Sequence, residues 1–190
     1  MTIGVLALQG AVREHVSSLK RLGVKSRVVK TQEELEGLSG LILPGGESTA
    51  ISLLADAGFM ASLRDLARRG FPMFGTCAGM ILLASRIDGR DCGYIEAIDI
   101  TVSRNASGRQ VNSFETLLDI DGIGEDVPAV FIRAPYVTSY GLNVRPMARY
   151  NEQCVMARQE NVLVASFHPE LTEDTRVHEY FVEMTKESRN

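Results

Sequence analysis

The sequence predicts an α/β fold: a doubly wound, mostly parallel sheet flanked by helices, with antiparallel additions in the second half. Three observations lead there. In the first half, short runs that are apolar throughout (3–8, "IGVLAL"; 40–43, "GLIL"; 71–74, "FPMF") alternate with amphipathic stretches, the pattern of parallel strands covered on both faces by helices. From Tyr94 to about Phe167 the texture changes to short β-like segments separated by turn residues. The closing stretch "TEDTRVHEYFVEMTKE" is amphipathic, with Val177, Phe181 and Met184 on one helical face.

In chain order, the first apolar run ends at Gln9-Gly10, and Val12, Val16, Leu19 and Leu22 then recur at helical spacing up to Gly23. A second strand over about 24–29 ("VKSRVV") leads into Thr31 and Glu34, a capping-box pattern that predicts a short helix. The 40–43 strand runs into "PGGEST", after which Ile51, Leu54 and Ala55 mark another helix, and "FPMF" runs into "GTCAG", followed by a helical stretch to about Arg86. "AIDITVSR", "SFETLLDI", "PAVFIRA" and "VLVASF" read as antiparallel additions and sheet-edge strands.

The bulk numbers bound the function. A chain of 190 residues with 45% hydrophobic and 23% charged residues fits a soluble globular protein with a single domain, 1–190. The net charge of −4 comes from acidic and basic residues mixed along the chain, with no Lys/Arg block to neutralise a row of phosphates, which argues against a nucleic-acid partner. "MTIGVLALQG" lacks a basic leader and a cleavage site, and no stretch approaches the roughly 18 apolar residues of a membrane span, so a cytoplasmic location without membrane attachment is expected. Three cysteines, Cys77, Cys92 and Cys154, with no C-x-x-C pair fit neither a disulfide framework nor a zinc knuckle.

Ligands of open α/β sheets bind beyond the carboxyl ends of the strands. Four unusual segments fall at such ends: Gln9-Gly10, Gly45-Gly46-Glu47-Ser48, Gly75-Thr76-Cys77-Ala78-Gly79, and Phe167-His168-Pro169-Glu170. "GTCAG" has the form of a strand-to-helix elbow, in which small residues let the chain turn tightly and display the central side chain. A cysteine there sits at a helix N-terminus, whose dipole favours thiolate. Cys92, in the polar turn "GRDCG", and Cys154, in the alternating strand "QCVMAR", lack this context and read as structural.

A thiolate nucleophile needs a base and a group to orient it. His15, beside Arg13 and Glu14, and His178, among charged residues, read as solvated surface histidines, whereas His168 follows an apolar strand and precedes Pro169. Glu170, two residues on, would point the same way in an extended segment and hold the imidazole in one tautomer. His168 and Glu170 find no further His or Cys cluster to complete a metal site. For an oxyanion, the amide of Ala78 and the amides exposed by the "PGG" turn, Gly46 among them, are the natural donors.

In combination and in this order, the P-G-G turn, the G-x-C-x-G elbow and H-P-E resemble class I glutamine amidotransferases. "GVLALQGAVREH", "LILPGGEST", "FGTCAGMILLA", "RNASGRQVNSFE", "FIRAP" and "SFHPELTED" narrow this to the family of glutaminase subunits of pyridoxal 5′-phosphate synthase, over essentially the whole chain. The resemblance implies Cys77 as nucleophile with His168 and Glu170 completing the triad. It also implies a glutamine pocket lined by Gly46, Glu47, Ser48, Arg104, Ile132 and Arg133, which spacing alone would not suggest; Ser107 stands where the motif often carries an aromatic. The implied reaction is hydrolysis of L-glutamine to glutamate and ammonia through a thioester, with no cofactor. The implied partner is the synthase subunit that receives the ammonia, with Gln9-Gly10 and the following helix at the interface. Alternatives are a glutaminase subunit of another synthase, such as the histidine-pathway enzyme, a stand-alone γ-glutamyl cysteine hydrolase, and a non-catalytic binding subunit that has kept the fold.

Overall fold

The computed structural model of the chain describes residues 1–46, 56–90, 92–104 and 113–188. The expected helix around Ile51, Leu54 and Ala55 lies outside the described residues, as do Glu47, Ser48 and Ser107.

The first half follows the strand–helix alternation. Strand β1 (Thr2–Leu6) is followed by helix α1 (Val12–Arg21) and β2 (Lys25–Val29). After β3 (Gly40–Leu43) come α2 (Ala57–Arg68) and β4 (Met73–Thr76). Asp56 caps α2 by accepting the Phe59 amide at 2.7 Å, satisfying one of the free donors of its first turn. The capping-box signal at Thr31 yields less than predicted, a single 3₁₀ turn over Glu33–Leu35. The Glu34 carboxylate does reach back to the amides of Lys30 (2.6 Å) and Thr31 (3.0 Å), but the Gln32 side chain at the cap position makes no capping bond, and Gly37 follows at φ +73°.

Beyond β4 the expected helix to Arg86 is cut short. Helix α3 spans Ala78–Leu83, and β5 (Ala84–Ile87) then pairs in parallel with β6 (Ile98–Ser103). The reason is local: Ala84 and Ile87 are buried while Ser85 and Arg86 are not, and the Ser85 hydroxyl donates to the Ile98 carbonyl at 2.8 Å, fastening the segment to β6. The hairpin β7 (Phe114–Ile120) and β8 (Gly124–Phe131) forms a separate two-stranded sheet. Strands β9 (Tyr136–Tyr140), β10 (Arg145–Tyr150), β11 (Gln153–Gln159) and β12 (Val162–Ala165) return to the main sheet, and α4 (Arg176–Glu187) ends the chain.

Among the described residues, the main sheet runs β2-β1-β3-β4-β12-β11-β9-β6-β5, with β10 paired to β11 off that path. Strands β2, β1, β3, β4 and β12 are mutually parallel, and the antiparallel pairs involve β11 and β9. One segment expected at a sheet edge, "VLVASF", is central instead: β12 lies between β4 and β11, and all four of its residues are buried. Its unbroken apolar run is what a strand covered on both faces requires.

The period-2 alternation of these strands feeds two cores. Leu41, Leu43, Met73, Val162 and Val164 join Phe59 and Leu63 of α2 on one face. Ile3, Val5, Ile42, Phe74, Leu163 and Ala165 join Leu19 of α1 and Val177, Phe181 and Met184 of α4 on the other. A buried aromatic of this kind contributes about 2–3 kcal/mol by removal from water. Among the described residues, no helix is long and apolar enough to cross a membrane.

Candidate functional site

The parallel pairing of β4 with β12 builds the site. Its register sets Ala165 opposite Thr76, so the chain leaves the sheet at two neighbouring strand ends, carrying Cys77 on one and Ser166-Phe167-His168 on the other. The amide of Cys77 donates to the Ala165 carbonyl at 2.8 Å, and that of His168 to the Val130 carbonyl at 2.8 Å, which fixes both loops against the sheet and the hairpin.

Cys77 occupies the elbow in a conformation rarely open to an L-residue, φ +48° and ψ −106°. Such strain costs on the order of 1–3 kcal/mol and persists only where the surroundings impose it. They do so here through close approach: a Cβ on Gly79 would collide with the Leu43 carbonyl oxygen at the end of β3. The elbow expected from "GTCAG" is therefore formed, with Ala78 as the first residue of α3, where its amide has no intrahelical acceptor.

The side chains converge. Cys77 is 8% exposed, and its Sγ lies 3.8 Å from the Ile132 carbonyl oxygen. The His168 ring and the Cys77 side chain both close on Gly45, near enough for Cys77 to favour the imidazolium, and His168 Nδ1 lies 2.7 Å from Glu170 Oε1. Burial disfavours the imidazolium, but its donation to the Glu170 carboxylate and its attraction to Cys77 and Glu170 outweigh that cost, and His168 is pushed up to about 10. Glu170 reaches His168 differently from expectation. The segment is not extended: Pro169 opens a 3₁₀ turn, Pro169–Leu171, which curls the carboxylate back onto the ring.

Gly45 makes this approach possible, since a Cβ there would collide with His168 Cε1 and stand 3.3 Å from Cys77 Cβ. Gly46 follows at φ +141°, and a side chain on it would press on Gly10 and Gln9, so the loops after β1 and β3 pack together beside the thiol. Arg104 follows β6, whose register sets Ser103 opposite Tyr136, at the start of β9; Ile132 and Arg133 lie between β8 and β9, separated from β9 by Ala134 and Pro135. Arg104 donates to the Tyr94 hydroxyl at 2.7 Å, and Arg133 is exposed with a left-handed φ of +45°. The three cysteines are free; Cys92 is exposed, and Cys154 is buried in β11, where desolvation pushes its thiol up.

Two histidines depart from the sequence reading. His15 and His178, expected on the surface, are both fully buried. His15 Nδ1 lies 2.9 Å from His178 Nε2, and His15 Nε2 lies 3.2 Å from Thr76 Oγ1 and 3.5 Å from Glu170 Oε1. Burial, reinforced by His178 and His168, holds His15 well below the usual range, and burial pushes His178 down to about 4, so both rings are neutral. The signal was available: His15 falls on the Val12–Val16–Leu19 stripe and His178 beside Val177 and Phe181. Its charged sequence neighbours Arg13 and Glu14 are exposed, while His15 faces the core.

The family model for the SNO glutamine amidotransferase family matches residues 5–187. The chain belongs to that family. Among similar proteins, pyridoxal 5′-phosphate synthase subunit PdxT of Halalkalibacterium halodurans is 55% identical over 98% of this chain and 96% of its own length. The protein of the same name from Brevibacillus brevis is 52% identical over the full length of both. A crystal structure of a glutamine amidotransferase superposes with a TM-score of 0.91 at 48% identity, covering 97% of this chain and 98% of the other. A chain of the PurLQS structure from Thermotoga maritima, 18% identical with a TM-score of 0.73 over 96% of this chain and 97% of its own, shares the fold.

Proposed function

We propose that the protein is the glutaminase subunit of a pyridoxal 5′-phosphate synthase, hydrolysing L-glutamine to L-glutamate and ammonia and passing the ammonia to the synthase subunit. One observation carries the chemistry: a cysteine held at positive φ on a strand-to-helix elbow, beside a histidine whose Nδ1 is 2.7 Å from a buried carboxylate. Family membership and the PdxT relatives support the choice of substrate and partner.

In this reading Cys77 Sγ attacks the side-chain carbonyl carbon of glutamine. The oxyanion is held by the amides of Gly46 and Ala78. His168, with its proton secured by Glu170 and Cys77, protonates the leaving nitrogen; the C–N bond breaks, ammonia departs and a γ-glutamyl thioester remains. His168, now neutral, takes a proton from water as the water attacks the thioester. The carbon–sulfur bond breaks, the thiol is restored and glutamate leaves. Arg104, Arg133, Ile132 and Gly46 line the glutamine pocket in this reading, the guanidiniums suiting the substrate α-carboxylate, while Glu47 and Ser48, which the resemblance adds, lie outside the described residues.

Ammonia released to neutral water is protonated and ceases to be a nucleophile, so its acceptor is a sheltered site on the docked synthase subunit. Three free cysteines fit a reducing, cytoplasmic compartment. The deciding experiment is glutamate release from L-glutamine with and without the synthase subunit, alongside Cys77→Ala. The expected result is activity stimulated by the partner and lost in the variant. Full activity in Cys77→Ala would overturn the triad assignment, and full partner-free turnover of γ-glutamyl peptides would overturn the choice of function.

A further inference from the structure

The buried histidine pair lies directly behind Glu170 and has no place in the chemistry described so far. Glu170 is 4% exposed, and its Oε1 faces two imidazoles, His168 Nδ1 at 2.7 Å and His15 Nε2 at 3.5 Å. Its Oε2 has no hydrogen-bond partner among the described residues. The carboxylate that orients His168 is thus located largely through one oxygen, between a ring from the His168 loop and a ring from α1.

The protonation pattern follows from the neighbours. Burial keeps His15 neutral, with one ring proton to place. A bare Nε2 lone pair facing a carboxylate oxygen would be repulsive, so the proton belongs on Nε2, shared between Thr76 Oγ1 and Glu170 Oε1. Nδ1 then accepts from His178 Nε2–H. His178 is left with a bare Nδ1, which is the atom without a partner among the described residues. An orphaned lone pair costs less than an orphaned N–H, so one assignment satisfies every donor of the pair. His178 is itself fixed against Phe74, edge to face at a centroid distance of 6.0 Å.

We propose that His15, anchored by His178, is a positioning residue for the hydrolysis: a neutral imidazole whose Nε2–H fixes the Glu170 carboxylate that in turn orients His168. The inference rests on the glutaminase reading for its kinetic consequence, but its geometric content stands on the free chain. It makes α1 and α4, neither of which carries a triad residue, part of the machinery that aims the base.

The test compares His15→Met, which fills the space without a donor, with His15→Gln, which retains an N–H at similar reach. With L-glutamine and the docked synthase subunit, His15→Met is expected to lose about tenfold to a hundredfold in kcat with KM within about twofold, the scale on which losing an outer hydrogen-bond partner disturbs a metal ligand being taken for a carboxylate held in the same way. His15→Gln is expected to recover most of that loss. In the free chain, the downfield proton resonance of His168 Nδ1–H is expected to shift or broaden in His15→Met and to persist in His15→Gln. Wild-type kcat in His15→Met, or equal defects in both variants at unchanged melting temperature, would overturn the proposal. If the wild-type complex releases no glutamate while the His168 resonance still responds to His15→Met, the glutaminase reading falls and the positioning role stands.

Discussion

His168 Nδ1 and Glu170 Oε1 are 2.7 Å apart although only a proline separates the two residues in sequence. Pro169, pre-set for the first position of a helical turn, supplies the curl. The carboxylate therefore holds the Nδ1–H tautomer and leaves Nε2 for the thiol. Replacing Glu170 by Gln keeps the shape but offers an amide that can present N–H to Nδ1 and so favour the wrong tautomer. Glu170→Gln is expected to lower kcat for glutamine by about a hundredfold or more with little change in KM, measured as glutamate release in the complex. An unchanged kcat would remove Glu170 from the triad.

The titration of His168 offers a second check. Its value of about 10 in the folded chain lies above the ordinary 6.5 because Cys77 and Glu170 outweigh burial. A histidine raised on folding stabilises the native state in full below pH 6.5, and that contribution is gone once the pH has risen through about 10. Removing Cys77 takes away a neighbour that favours the imidazolium, so the titration must move down. By proton NMR, the His168 ring is expected to lose its proton at lower pH in Cys77→Ala than in the wild type. A midpoint that stays put would mean that the thiol and the imidazole are not coupled.

How much of this was legible beforehand depends on what each residue's environment is made of. The elbow, the P-G-G turn and the H-P-E segment were readable because they act through local backbone geometry: Gly79, Gly45 and Pro169 do their work within a few residues of where they stand. The central place of β12 and the burial of His15 and His178 were not, because they follow from pairings between residues up to 163 positions apart. A histidine flanked by Arg13 and Glu14 looks solvated in sequence; only the packing of α1 and α4 onto the Phe74 face of the sheet puts it behind Glu170. Arg104 and Arg133 stand between these cases, since a lone arginine carries no local sign of a ligand and the resemblance alone singled them out.

Reactivity should sort the three thiols. Cys154 is buried and its thiol is pushed up by desolvation, Cys92 is exposed, and Cys77, 8% exposed, stands beside a cationic imidazole. A glutamine-like electrophile is expected to label Cys77 first, with L-glutamine protecting it. A simple alkylating reagent is expected to modify Cys92 as well, without protection by glutamine, and Cys154 only on unfolding. Peptide mapping by mass spectrometry reads all three, and equal rates with the glutamine-like reagent would contradict an activated Cys77.

The strained elbow sets stability against function at a single position. Cys77 at φ +48° and ψ −106° occupies backbone space that glycine enters freely and a residue with a Cβ does not. Cys77→Ala keeps the strain and loses the thiol; Cys77→Gly loses the thiol and relieves the strain. The relief, on the order of 1–3 kcal/mol, is partly offset by the greater freedom of glycine in the unfolded chain, roughly 0.5–1 kcal/mol. Cys77→Gly is therefore expected to be more stable than Cys77→Ala by about 1 kcal/mol, or about 2–4 °C in melting temperature for a chain of this size. Both variants should be inactive, so differential scanning calorimetry reads the strain alone. If alanine proves as stable as glycine, the elbow is not strained and its left-handed φ has another origin. If glycine is the more stable, the chain carries at Cys77 a conformation that folding alone would not select, held in place by the close approach of Gly79 to Leu43 so that the thiol stands against His168.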